Sequence, residues 1–198
     1  LREKHLTLDI TRRLRTLLER EGFTVVMTRE GDQFIPLSGR AGLANRLHAD
    51  LFVSIHVNAN TNGHVSGAEV YYPRESVVAP SAQWPPYLSS SEIGVPSAVV
   101  KQVLWDLVLR RTRAQSSQLA SAIASTLQQG LRVPSKVKAA RFVVLREVWM
   151  PAVLVEVGYV SNYQESQRLN TPSYREAAAQ AIASGIISYI RSIGAEHI

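Results

Sequence analysis

The chain has 198 residues, of which 45% are hydrophobic and 19% charged, with a net charge of +6 and no cysteine. This length suits one good-sized domain, and the composition excludes a disordered or fibrous protein. The lack of cysteine excludes disulfides, thiolate zinc sites and cysteine nucleophiles. No apolar run approaches the roughly 18 residues of a membrane span, and no signal-peptide pattern opens the chain. The positive charge suggests an acidic partner, but its lysines and arginines are not interleaved with aromatic residues, so we expect no nucleic-acid binding.

Hydrophobic periodicity predicts helices and strands that take turns along the chain. The first half is expected to contain a helix over 3–21, a strand over 23–28, a helix over 37–49 and strands over 51–56 and 67–72. The second half is expected to contain an apolar helical stripe over 99–108, a helix over 116–131, strands over 141–146 and 152–159, and a last helix opened by a Ser173–Glu176 capping box. Ser161 and Asn162 are expected to cap the helix after the last strand.

The strands lack an alternation of polar and apolar residues, which is typical of a parallel sheet buried on both faces. We therefore predict an α/β fold, with a mostly parallel mixed sheet and helices on both faces, in a single domain over 1–198. Residues 73–97 interrupt this order with five prolines and six serines, which exclude regular structure over most of that span. We interpret 73–113 as an insertion, or lid, laid over the framework.

Two of the predicted strands finish on residues capable of chemistry. His56 ends "LFVSIH", and Glu156 follows the apolar run "PAVLV". Ligands of α/β sheets bind at the carboxyl ends of the strands. Burying a carboxylate after an apolar run costs free energy unless the carboxylate is paired or has a function. The alternative for His56 is an ordinary hydrogen-bonded structural residue. From the residue pattern alone, a metal-dependent hydrolase is a hypothesis and no more.

Four segments of the chain resemble one enzyme family. These segments are "LREKHLTLDITRRLRTLLEREGFTVVMTREGD", "RAGLANRLHADLFVSIHVNAN", "GAEVYY" and "MPAVLVEVGYVSN". Their order is similar to that in the zinc-dependent N-acetylmuramoyl-L-alanine amidases of the bacterial cell wall, the amidase type 3 family. The resemblance implies a peptidoglycan hydrolase that acts outside the cytoplasmic membrane, periplasmic or secreted, with a role in the cell wall and in cell division.

The resemblance also implies roles for individual residues. Glu3 and His56 match two of the family's three zinc ligands, and Glu156 matches its catalytic glutamate. Zinc would activate a water molecule, and Glu156 would take its proton while the amide between muramic acid and L-alanine is attacked. Asn58 is expected to orient His56 by contacting the ring nitrogen that does not bind the metal, as histidine ligands usually require.

One family ligand has no match in the chain. The family's first histidine lies in a glycine-rich turn upstream of the glutamate ligand, whereas Leu1 stands only two residues before Glu3. We therefore expect the domain to be incomplete at its N-terminus. His5 is a poor replacement, because residues two apart on a helix do not face the same side. His64 is also a poor replacement, because a flexible loop does not hold a ligand in a fixed position.

The insertion has a family parallel as well. In some of these amidases a helical segment covers the active site, and an acidic residue from it holds the zinc until an activator protein removes it. Glu92 is the first candidate for such an autoinhibitory residue here, followed by Glu75 and Asp106. The alternative is a lid that never contacts the metal.

Two other functions remain open at this point. The missing histidine allows a catalytically inactive wall-binding module, and the zinc site allows a peptidase that acts on the stem peptide itself. The net charge of +6 is compatible with attraction to anionic wall polymers in all three cases.

Overall fold

The structure, a computed structural model, describes residues 2–74 and 98–195. Its helices are α1 (Glu3–Arg20), α2 (Leu37–Arg46), α3 (Ala98–Leu131), α4 (Val143–Arg146), α5 (Tyr163–Leu169) and α6 (Pro172–Ala195). Its strands are β1 (Phe52–Asn58), β2 (Ala68–Pro73), β3 (Ser135–Ala140) and β4 (Ala152–Tyr159). None of the helices in these two ranges combines the length and the apolar character needed to cross a bilayer.

The four strands form one mixed sheet in the order β1-β4-β2-β3. β1 runs parallel to β4 and β2 runs parallel to β3, whereas β2 and β4 are antiparallel. The central strand β4 is covered on both faces, and Val153, Val155 and Val157 have no exposed surface. Complete burial explains its nearly uninterrupted apolar sequence, and the predicted α/β fold is confirmed.

Helices cover the two faces of the sheet unequally. α1, α3 and α6 pack on one face around a large core that includes Ile10, Ile123 and Ile182. α2 and α4 pack on the other face over a smaller cluster that includes Phe52 and Leu154. Side chains two residues apart on a strand share a face. The residues one step beyond this smaller cluster, towards the carboxyl ends of β1 and β4, therefore form the uncovered part of the second face.

The strand predicted over 23–28 is wrong. None of these six residues belongs to a strand of the described sheet, although Phe23 and Val25 pack partly against the larger core. β-forming side chains favour an extended chain, but a strand also needs a neighbour for its backbone hydrogen bonds.

The strand predicted over 141–146 is also wrong. The strand is Ser135–Ala140, and Val143–Arg146 forms the short helix α4. β3 lies at an edge of the described sheet and is largely exposed, so its lysines and alanines carry little apolar signal. Val144 and Leu145 are apolar because they are buried in the smaller cluster, not because they lie in a strand.

Two helix boundaries differ from the prediction. The segments 99–108 and 116–131 belong to one continuous helix, α3, because no glycine or proline stands between them. α6 begins at Pro172, and the Tyr174 N–H donates to Thr171 Oγ1 at 3.3 Å. Thr171 therefore takes the capping position expected of Ser173, with proline in the first helical position.

We predict that Gly185→Ala destabilises the protein by about 2 kcal/mol, the usual range for overpacking. A Cβ atom at Gly185 would lie 2.6 Å from Ile123 Cα and 2.8 Å from Thr126 Oγ1, where α6 crosses α3. Gly194→Ala is the matched control, because it meets no atom within 4 Å and should raise the stability slightly. Urea unfolding would measure both, and equal stabilities would contradict the close approach.

Candidate active site at the carboxyl end of the central strand

Four polar residues form one row across the sheet. His56 is in register with Glu156 on β4, Glu156 with Glu69 on β2, and Glu69 with Lys136 on β3. Residues directly opposite one another in a sheet point to the same face. This row, His56–Glu156–Glu69–Lys136, therefore lies on the face that α2 and α4 cover only in part, one step beyond Leu154.

Glu3 closes the row at the β1 edge. It stands in the first turn of α1, and its Oε1 lies 2.9 Å from His56 Nδ1 and accepts the Val57 N–H at 3.3 Å. The hydrogen bond with His56 is the main reason that the pKa of Glu3 lies below its usual value. His56 Nε2 lies 3.1 Å from Ser54 Oγ. Both ring nitrogens of His56 are therefore held in place.

Glu156 is the unusual carboxylate of the row. Its Oε2 is buried and has no hydrogen-bond partner among the residues that the structure describes. Burial raises the pKa of Glu156 to about 7, with a further contribution from the negative charges of Glu3 and Glu69 and an opposing one from His56. A carboxyl group with a pKa near neutrality can both take and return a proton at physiological pH.

Glu69 has the opposite surroundings. It is 7% exposed, and its carboxylate accepts hydrogen bonds from Lys138 Nζ at 2.5 Å and from the Tyr71 hydroxyl. Burial alone would raise the pKa of Glu69, but these hydrogen bonds hold it below its usual value. The sequence analysis missed Glu69, although a carboxylate inside the strand "GAEVYY" carries the same signal that singled out Glu156.

Glu165 was also missed, and it braces the end of β4. It is 3% exposed, and its two oxygens accept the N–H groups of Gly67 and Tyr159, each at 2.8 Å. These bonds join the start of β2 to the end of β4. Asn162 Oδ1 accepts the Glu165 N–H at 3.1 Å, so the predicted cap at Asn162 is confirmed.

The other candidates lie apart from this row. Asn58 Oδ1 accepts the Ala59 N–H at 2.8 Å, and within the described ranges it makes no hydrogen bond to His56, which Ser54 holds instead. His5 and His64 are both exposed.

Of the three autoinhibition candidates, Asp106 is exposed on α3, while Glu92 and Glu75 lie outside the described residues.

Glu3 and His56 fit two ligands of a zinc site. Their nearest side-chain atoms, at 2.9 Å, are close to the separation of about 3.3 Å between two ligands of a tetrahedral zinc ion. A carboxylate and an imidazole are both normal zinc ligands. Glu156 stands in register beside His56 and has one oxygen without a partner in the described residues. Across 2–74 and 98–195, no group of three or more histidine or acidic residues could hold a metal ion.

Comparison with known proteins shows the family of the chain. The sequence profile described as N-acetylmuramoyl-L-alanine amidase matches residues 1–188. The chain belongs to this family. It is 36% identical to N-acetylmuramoyl-L-alanine amidase AmiA of Escherichia coli over 199 residues, which cover 95% of this chain and 68% of AmiA. The family and the enzyme class predicted from the sequence are thereby confirmed.

Solved structures show the same fold. An N-acetylmuramoyl-L-alanine amidase from Clostridium difficile 630 superposes with a TM-score of 0.75 at 29% identity, covering 97% of this chain and 86% of that one. The CwlD amidase from Clostridioides difficile, solved in complex with the GerS lipoprotein, gives a TM-score of 0.74 at 25% identity, covering 96% and 87%.

We predict that Glu156 makes the metal-free amidase less stable as the pH rises. Its carboxyl group has a pKa of about 7 in the folded protein, against the usual 4.5 of a glutamate, so the folded state binds the proton more tightly than the unfolded chain. The resulting stabilisation is complete below pH 4.5 and is lost as the pH rises through about 7. Between pH 4.5 and pH 8 the wild type should lose about 3 kcal/mol relative to Glu156→Gln.

Urea unfolding of both proteins after chelator treatment, at pH 4.5 and at pH 8, would measure this difference. Stability curves that stay parallel across this range would contradict the raised pKa of Glu156.

Proposed function

We propose that this amidase cleaves the bond between N-acetylmuramic acid and the L-alanine of the stem peptide, with zinc held by Glu3 and His56 and with Glu156 as the catalytic residue. The observation that supports this proposal best is the row itself: Glu156, half-buried and with an unpartnered oxygen in the described residues, stands in register beside His56, which contacts Glu3. A general base next to a pair of metal ligands is the arrangement with which metal-dependent hydrolases cleave amides.

Each residue has a defined task in this reaction. Bound zinc supplies a Lewis acid, which polarises the amide carbonyl and lowers the pKa of water. Glu156 takes a proton from the attacking water through its carboxylate and returns it to the nitrogen of the departing L-alanine. The half-buried position of Glu156 shields that proton from bulk water between the two steps. Ser54 orients His56 through its contact with Nε2 at 3.1 Å, and Nδ1, which faces Glu3, is left for the metal.

The setting of the enzyme follows from this substrate. Peptidoglycan lies outside the cytoplasmic membrane, so we place the protein there, periplasmic or secreted. One structural neighbour was solved with a lipoprotein partner, which supports an activator protein for this amidase as well. We retain the segment 73–113 as the part on which such an activator would act, with Glu92 as the first candidate for an autoinhibitory carboxylate.

We predict that His56→Ala lowers zinc affinity at least 100-fold and abolishes cleavage of purified peptidoglycan, because it removes a ligand. Glu156→Gln should bind zinc normally but lose a factor of about 10² to 10⁴ in rate, the usual contribution of a general acid–base group. His64→Ala is the matched control, since His64 lies in an exposed loop and should keep both zinc and activity.

Mass spectrometry of the digest separates the proposed function from its rivals. An amidase releases stem peptides with a free N-terminal L-alanine, whereas a peptidase frees an amine further along the stem. A wall-binding module would bind the polymer and release nothing. Unchanged zinc content in His56→Ala would contradict the assigned ligand.

A further inference from the structure

Lys136 extends the row of the active site to the far edge of the described sheet. It is in register with Glu69, which is in register with Glu156. Neighbouring strands lie about 4.8 Å apart, so the backbone of Lys136 is about 10 Å from that of Glu156. Its side chain starts from the same face as Glu156 and is exposed.

The two lysines of β3 differ in what they contact. Lys138 Nζ is bonded to Glu69 at 2.5 Å and lies 5.8 Å from the centre of the Tyr71 ring. The charges of Lys138 and Glu69 therefore cancel. Lys136 forms no ion pair or side-chain hydrogen bond with any residue in 2–74 or 98–195. Lys136 therefore carries a positive charge that no ion pair of the described residues compensates, on the face of the sheet that holds the site.

A stem peptide that runs from Glu156 towards β3 brings an anion of the proposed substrate within reach of this charge. An extended peptide advances about 3.3–3.6 Å per residue. The side chain of Lys136 spans part of the distance of about 10 Å between its own backbone and that of Glu156. The anion must therefore lie within about two residues of the bond that is cut. In peptidoglycan the residue after L-alanine is a D-glutamate linked through its side chain, and its α-carboxyl group is free in some walls and amidated in others.

We propose that Lys136 binds the α-carboxylate of the residue that follows L-alanine, and so makes the enzyme prefer walls in which that group is not amidated. This inference rests on the proposed function. The ion pair between Glu69 and Lys138 joins β2 to β3. Because Lys138 is engaged in that pair, Lys136 is left as the contact with substrate. A lysine ammonium binds a carboxylate as a point charge, so the preference should weaken as salt is added.

Two soluble muramyl peptides that differ only in a free or amidated α-carboxyl group at the second residue test the proposal. With the zinc-loaded wild type we expect kcat/KM to favour the free acid about tenfold, the effect of one charge-assisted hydrogen bond. Lys136→Gln should reduce this ratio to about one, through a loss of kcat/KM on the free acid. Lys136→Arg should retain the preference, and so should the control Arg191→Gln, an exposed cation on α6.

The outcomes separate this inference from the function on which it rests. If the wild type cleaves both peptides equally, or if Lys136→Gln keeps the tenfold ratio, the carboxylate subsite is wrong and the amidase assignment stands. If the wild type cleaves neither peptide and releases no stem peptide from whole peptidoglycan, the proposed function fails and the subsite fails with it.

Discussion

The parallel pairing of β1 with β4 is the constraint on which the rest of the site depends. This register places His56 directly beside Glu156. A slip of one residue would turn every side chain of a strand to the opposite face. The apolar residues before each polar one prevent such a slip, because Val153 and Val155 must point into the larger core. The geometry of the site is therefore maintained by the hydrophobic pattern of residues that take no part in its chemistry.

Three carboxylates lie close together in this site, and their surroundings give them different properties. Glu3 is held by His56 and a backbone N–H, and Glu69 by Lys138 and Tyr71, so both have lowered pKa values. Glu156 has no such partner in the described part of the chain and is half-buried, which raises its pKa to about 7. The roles that we propose require such a separation of pKa values among neighbouring acids, in which ionised groups bind cations and a group near neutrality moves protons.

The errors of the sequence analysis have a common cause. The strand over 23–28 and the strand over 141–146 were inferred from runs of β-forming residues, yet the first has no neighbour in the described sheet and the second is a short buried helix. The true strand, Ser135–Ala140, lies at an edge and is exposed. A run of apolar residues indicates that a segment is buried, but it does not show whether the segment is a strand or a helix. Tertiary contacts decide that.

The sequence by itself determined the α/β class, the family, the strands that carry His56 and Glu156, and the cap at Asn162, because each of these depends on residues close together in the chain. Only the tertiary structure decided that β2 lies antiparallel between β4 and β3, which brings Glu69 and Lys136 into the row. It also decided the bonds that Glu165 makes to two strands. These contacts join residues far apart in sequence, and such pairings are set by the packing of whole elements, which no local pattern encodes.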